Sequence, residues 1–283
     1  MRSLLTMMNY RKAFARRLAS KTHILIGAAA ALFCCAACPA NRTTVSLDFS
    51  ATWAGQSISC SNSEPSLTDL RFFVSDLVVI DSGGVKHPLL LTGDEQWQQQ
   101  GVALIDLENG EGNCVNGTSE TNTRVSGIAE TADIRSLRFT VGVPFDLNHA
   151  NPMLAEAPLD DAAMHWHWRS GYKFLRAGVA TASDSFWLHL GSTACSGTVQ
   201  NISACRSPNR VTVELTGVSS QNMRINVDLS ALLEGVNLND GIPSDCSSGP
   251  SESACAAPFA ALGLAFGDTS DQPVANAVFR VGN

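Results

Sequence analysis

Polar and apolar residues alternate along much of this 283-residue chain, beginning at 43–49, where Val45, Leu47 and Phe49 occupy every second position. A period of two is that of a strand with one buried face. Residues 70–80 form a β-branched and aromatic run closed by the turn Asp81-Ser82-Gly83-Gly84. Strands are expected also over 102–107, 123–128, 136–143, 165–175, 185–190, 211–215 and 222–227, with Gly, Asn and Asp clustered between them. Helical signals are confined to 229–233 and an Ala-rich stretch at 256–264. Many short strands separated by turn residues predict an all-β, sandwich-like domain with little helix. Two long irregular stretches, 143–164 and 235–256, are the places where such a domain builds function.

The N-terminus departs from this pattern. Residues 1–38 hold six Lys or Arg, no acid, and an apolar run over 24–37 that ends in small residues. This is the make-up of an export signal. A run of 14 residues falls short of the roughly 20 that a membrane-spanning helix needs. Cys35-Ala36-Ala37-Cys38 resembles the box preceding a lipidated cysteine in bacterial lipoproteins, which makes Cys38 the lipidation candidate; an ordinary cut after Ala37 or Ala40 is the alternative. Either cut leaves a single exported β domain over 39–283, periplasmic or anchored to the outer membrane.

Export changes the charge. Beyond residue 38 stand 13 Lys and Arg against 26 Asp and Glu, a net charge of −13. Such a surface excludes nucleic acid as a partner. Six cysteines remain, Cys60, Cys114, Cys195, Cys205, Cys246 and Cys255. An even number in an exported chain argues for disulfides. Cys195 with Cys205 and Cys246 with Cys255 suit local loop staples, which leaves Cys60 for Cys114, although six cysteines permit about fifteen connectivities.

The chemistry concentrates in one place. Met164-His165-Trp166-His167-Trp168-Arg169 packs two of the five Trp and two of the six His into four positions. On a strand, His165 and His167 would share one face and Trp166 and Trp168 the other. Four of the five exported His (His149, His165, His167 and His189) lie within about forty residues of one another, and neutral imidazole suits copper and zinc. Met153 or Met164 would add a thioether. His87, beside Pro88, reads as packed or solvated, and Trp53 and Trp97 as core or cap residues. Trp187 shares a strand face with His189. No Gly-x-Ser-x-Gly elbow, His-Glu-x-x-His helix, phosphate loop or Cys-x-x-Cys pair occurs.

Longer motifs narrow the reading. Trp166-His167-Trp168-Arg169-Ser170-Gly171-Tyr172-Lys173-Phe174-Leu175-Arg176 and His189-Leu190-Gly191-Ser192-Thr193-Ala194-Cys195 resemble the MbnP-like proteins of bacterial copper systems, the four-Cys member of a "metallo-mystery pair". So do Val141-Gly142-Val143-Pro144 with Leu147-Asn148-His149, Asp106-Leu107-Glu108 before Cys114-Val115-Asn116-Gly117-Thr118, and Cys205 with Pro208-Asn209-Arg210. The resemblance spans about 69–267. It implies an exported copper-binding protein whose partner is a diheme peroxidase of the MauG and cytochrome c peroxidase type. It also implies that this partner oxidises a Trp, here Trp166, Trp168 or Trp187, to kynurenine, whose nitrogen joins His in holding copper. His149 and His189 match the family-like stretches and are the first expected ligands. His165 and His167 stand where the family is not regularly His, as extra ligands or exposed neighbours.

On this reading the chain is not an enzyme; chemistry is done to it. Two other classes compete. A metal-free surface binding or adhesion module would keep His and Trp in ordinary packing. A zinc or copper enzyme would use His165, His167 and a distant His with an open coordination position, but no well-placed general acid or base stands beside the pair, although Asp160 and Asp161 are near in sequence.

Overall fold

The computed structural model describes residues 41–282 except 62–63, 200, 221–222, 239–243 and 268–274. The export signal and Cys38 therefore lie outside the described residues, as does Asn222 at the start of one expected strand. The architecture is two packed β-sheets with short helices at their ends.

The smaller sheet has six strands and runs Phe279–Val281, Arg224–Asp228, Thr43–Trp53, Arg124–Ala129, Leu90–Leu91, with Gln56–Ser57 folded back on the long strand. Thr43–Trp53 pairs parallel to Arg224–Asp228 and antiparallel to Arg124–Ala129. The larger sheet has ten strands, its main path running Val211–Thr216, Ser136–Val141, Ser66–Ile80, Gly171–Ala180, Ser185–Gly191, Ser244–Cys246. The alternating positions of both sheets meet in one apolar core, where Phe49, Phe72, Phe139 and Phe279 pack edge to face at centroid distances of 5.4–5.9 Å.

The 15-residue strand Ser66–Ile80 is buried on both faces over its first ten residues. Leu70, Phe72 and Val74 point into the main core, while Asp69, Arg71 and Phe73 lie on the outer face. A register shift between Ser75 and Val78 bends the strand at Asp76 (φ +51°), whose carboxylate receives Arg210 at 2.6 Å. The strand thereby serves both halves of the sheet, pairing with Gly171–Ala180 before the bend and with Ser136–Val141 across and beyond it.

The outer face of the large sheet is not left to solvent. A second core of Phe73, Val102, Leu104, Val143, Leu159, Met164, Tyr172 and Phe174 forms where the irregular 143–164 stretch folds over it, joined by half-buried Trp97 and Leu147. Met164 is fully buried there and serves packing, whereas Met153 is almost fully exposed.

Three expectations are corrected. The strand expected over 165–175 is broken: His165–His167 ends in a turn at 168–170, and a new strand begins at Gly171 with φ +77°, a conformation that favours glycine. Trp168 thus lies in a turn and not on the strand face of Trp166. The Cys195–Cys205 bond forms as expected, but the segment it staples is a β-hairpin and not an irregular loop: it joins directly opposed residues of Thr193–Thr198 and Asn201–Ser207. The small and polar residues of that hairpin hid its period. The helix Leu229–Leu232 forms the single turn expected there, whereas Ala256–Ala261 stops short of the expected 256–264. The three disulfides are Cys60–Cys114, Cys195–Cys205 and Cys246–Cys255.

Candidate metal centre

Strand Ser185–Gly191 sends Phe186, Leu188 and Leu190 into the main core and leaves Trp187 and His189 half-buried on the outer face. The cross-strand register then sets their neighbours. Trp187 stands opposite Gly178, and His189 opposite Arg176. A Cβ on Gly178 would come within 3.0 Å of ring carbons of Trp187. The bare glycine is what lets the indole lie close to the sheet.

The same device recurs one turn of pleat away. A Cβ on Gly191 would meet ring carbons of Trp166 at 3.0 Å and the Tyr172 carbonyl at 2.8 Å. Trp166 reaches that spot because His165–His167 pairs with the start of Gly171–Ala180, His165 opposite Tyr172. Two glycines therefore seat two indoles, and His189 contacts both: its ring centroid is 6.2 Å from that of Trp166 and 6.4 Å from that of Trp187. Neither glycine was singled out in the sequence, although a glycine inside a strand signals a close approach of this kind.

His189 Nε2 is buried and, among the described residues, has no hydrogen-bond partner. Burial lowers the imidazole pKa to about 4, helped by the positive charges of Arg176 and Lys173. The ring is neutral at physiological pH. Behind it, the register draws a row straight across four strands, His189, Arg176, Arg71 and Asp106. Asp69 holds both guanidiniums, taking Arg71 at 2.7 and 2.9 Å and Arg176 at 2.7 Å. Arg176 and Lys173 also donate to the Ala163 carbonyl at 3.2 and 2.8 Å. Cations pinned by carboxylates and carbonyls thus border His189 on one side and indoles on the other. The Ser248 hydroxyl closes the strand end, donating to the His189 carbonyl at 2.9 Å and accepting the Gly191 N–H at 3.1 Å.

His149 follows the short helix Phe145–Asn148. Its ring packs on Phe145 with centroids 4.7 Å apart. Nδ1 is buried with no partner among the described residues, Nε2 lies 3.1 Å from Asn148 Nδ2 and 3.4 Å from Cys205 Sγ, and burial lowers the ring's pKa. His149, Cys195 and Cys205 bring ligand-type atoms within 4.8 Å of one another, but both sulfurs belong to a disulfide and offer no thiolate. The same holds for Cys246 and Cys255 beside Glu252.

The remaining expected residues divide. His165 is half-buried against Tyr172, at 5.5 Å between centroids, with its pKa lowered by burial and by Lys173. His167 is exposed, packs on Trp168 and accepts the Arg169 N–H at 3.3 Å. Arg169 in turn lies 4.9 Å over the Trp168 ring. Among the described residues, no three-ligand cluster gathers His165, His167 or His189. His87 instead pairs with Asp81 at 3.0 Å, and Trp53 and Trp97 pack on the two cores.

The structure also joins motifs that are far apart in the chain. Buried Asn148 accepts the Tyr172 N–H at 2.8 Å and donates to the Ser170 carbonyl at 3.0 Å, fastening the His149 segment to the Trp166 hairpin.

Known proteins bear on this arrangement. MbnP from Methylosinus trichosporium matches the structure with a TM-score of 0.70, over 86% of this chain and 99% of that chain, at 24% sequence identity, a likeness of fold. No curated protein matches the sequence. A family model, MbnP, matches residues 42–248. That span holds His149, His165, Trp166, Trp187, His189 and the glycines beneath the indoles, and the chain belongs to the MbnP family.

Proposed function

We propose that this protein is an exported copper-binding member of bacterial copper homeostasis, with His189 and His149 as its principal nitrogen ligands, and that a diheme peroxidase of the MauG type oxidises Trp166 or Trp187 to kynurenine. The observation that carries the reading is the buried, unpartnered Nε2 of His189 set against two indoles. A buried polar atom without a partner costs roughly 1–3 kcal/mol, and a ligand at that nitrogen would recover it.

The chain's own part is to hold imidazoles neutral and indoles in place. A ring with its pKa near 4 presents a lone pair without first losing a proton. Imidazole nitrogen suits copper, which outcompetes zinc at a shared nitrogen site. A kynurenine formed from Trp166 or Trp187, both of which pack against His189, would offer its aniline-type nitrogen as a further ligand. Trp168, in its turn beneath Arg169, is the less favoured target. The chain acts as substrate of the partner and as carrier of copper, not as an enzyme. Cys38, if lipidated, would tether it to a membrane; among the described residues no helix is long and apolar enough to cross one.

The test is peptide mass spectrometry with metal analysis on the protein isolated from its host with and without the peroxidase. Kynurenine mass on the peptide holding Trp166 or Trp187, together with copper that His189→Leu abolishes, is expected. Unmodified Trp and no copper in the partner's presence would leave a metal-free binding module as the better account.

A further inference from the structure

The Cys195–Cys205 disulfide differs from the other two in what surrounds its sulfurs. Cys60, Cys114, Cys246 and Cys255 belong to the main core and are at most 5% exposed. Cys205 is half-buried, its hairpin has exposed residues on both strands, and neither Cys195 nor Cys205 belongs to either core. Thiol–disulfide exchange needs access for an attacking thiolate. Of the three bonds this one offers it, and opening it uncovers no core.

What faces the bond is a histidine. His149 Nε2 stands 3.4 Å from Cys205 Sγ, and His149 and both sulfurs bring ligand-type atoms within 4.8 Å of one another. Around one ion with a metal–nitrogen bond of about 2.0 Å and metal–sulfur bonds of about 2.3 Å, neighbouring ligand atoms stand about 3.5–4 Å apart. The nitrogen–sulfur edge is already close to that length; only the sulfur–sulfur edge must lengthen, and breaking the bond allows it. The tautomer is set as well. Asn148 turns its carbonyl oxygen to the Tyr172 N–H at 2.8 Å, so its amino group faces Nε2 at 3.1 Å. An amide amino group only donates. Nε2 therefore carries the lone pair and Nδ1 the proton, and the nitrogen beside Cys205 is the one able to bind an ion.

We propose that reduction of Cys195–Cys205 by a protein dithiol opens a thiolate metal site, in which both sulfurs and His149 Nε2 hold one Cu(I). A thiolate of the dithiol attacks Cys205 Sγ, the Cys195–Cys205 bond breaks as a mixed disulfide forms, and the dithiol's second sulfur then releases Cys205. Two electrons and two protons pass to the cysteine pair, and the dithiol leaves as its own disulfide. Cu(I) displaces the two thiol protons on binding. Thiolates are soft ligands that select Cu(I). Zinc takes four ligands in closed sites, and among the described residues no fourth His, Cys, Asp or Glu joins these three. The site shares His149 with the function proposed above, but it uses neither His189 nor a kynurenine.

The test is anaerobic titration of the exported protein with Cu(I)–acetonitrile against bicinchoninate, before and after graded treatment with dithiothreitol and its removal by gel filtration. Alkylation with peptide mass spectrometry identifies the bond that opens. Wild type and His189→Leu are compared, since the latter removes the main ligand of the earlier reading and leaves this site whole. Cys195 and Cys205 are expected to be alkylated first, and both proteins to bind Cu(I) at least about tenfold more tightly after reduction, with sulfur neighbours in copper X-ray absorption. The gain is expected to vanish in the Cys195→Ser, Cys205→Ser double variant, whose hairpin lies outside both cores, and to fall in His149→Phe. Earlier opening of either buried disulfide, no gain on reduction, copper without sulfur neighbours, or a gain indifferent to His149→Phe would each overturn the proposal.

Discussion

Trp166 lies across Gly191, close enough that a methyl group on the glycine would stand 3.0 Å from the ring carbons Cε3 and Cζ3. The contact joins two motifs 25 residues apart and sets the indole beside His189. Gly191→Ala must push the ring away or shift the Tyr172 carbonyl, which stands at 2.8 Å. Overpacking of this kind costs about 1–3 kcal/mol. The expected result is a lower denaturation midpoint and an altered near-ultraviolet circular dichroism spectrum; an unchanged spectrum would refute the seating of Trp166.

Asn148 is the clasp between the His149 segment and the Trp166 hairpin. Asn148→Ala leaves the buried Tyr172 N–H unpartnered, at a cost of about 1–3 kcal/mol. Hydrogen exchange should quicken at Tyr172, whose amide donates to this side chain. Asn148→Asp keeps the acceptor for that amide and loses the donor to Ser170, so protection at Tyr172 should be partly retained.

Asp106 makes stability depend on pH. Its folded pKa of about 7 stands above the ordinary carboxylate value of 3.8, so between these values the folded chain binds more protons than the unfolded one. Stability contributed by this group therefore falls as pH rises from about 4 to 7 and levels off above. The groups around it are Arg71, Asp69 and Glu108, with Glu120, Asp160 and Asp161 on the wall of a shared cavity. Asp106→Asn is expected to raise the melting temperature at pH 8 more than at pH 5. Equal shifts at both pH values would contradict the assignment.

The disulfides differ in what they constrain. Cys60–Cys114 spans 54 residues and Cys195–Cys205 spans 10. Loop-closure entropy assigns roughly 4 kcal/mol to the first and roughly 3 kcal/mol to the second. Chemical denaturation of Cys60→Ser, Cys114→Ser and of Cys195→Ser, Cys205→Ser double variants should show that order. The second pair should also disturb His149, whose Nε2 sits 3.4 Å from Cys205 Sγ.

The period-two pattern and turn residues were enough to place most strands. Strands Thr43–Trp53, Ser66–Ile80, Val102–Asp106 and Ser185–Gly191 begin or end within a few residues of where alternation puts them, because burying one face of a sheet admits no other spacing. The cysteine spacing likewise anticipated the bonds, and the residue motifs anticipated the family. The hairpin over 193–207 was illegible because its residues are small and polar and it packs little into either core. The break at 168–170 was hidden for another reason: Trp168 continues the alternation, and only the bond from Asn148 and the positive φ of Gly171 turn the chain there.

The sequence by itself determined a β-rich, disulfide-bonded chain with imidazoles and indoles crowded into one region, since periodicity and residue type are local properties. Only the tertiary structure decided which of them meet. Register across four strands aligned His189 with Arg176, Arg71 and Asp106, and it put Gly178 beneath Trp187. Those pairings join residues up to 105 positions apart. They follow from how strands pair, which no local pattern encodes.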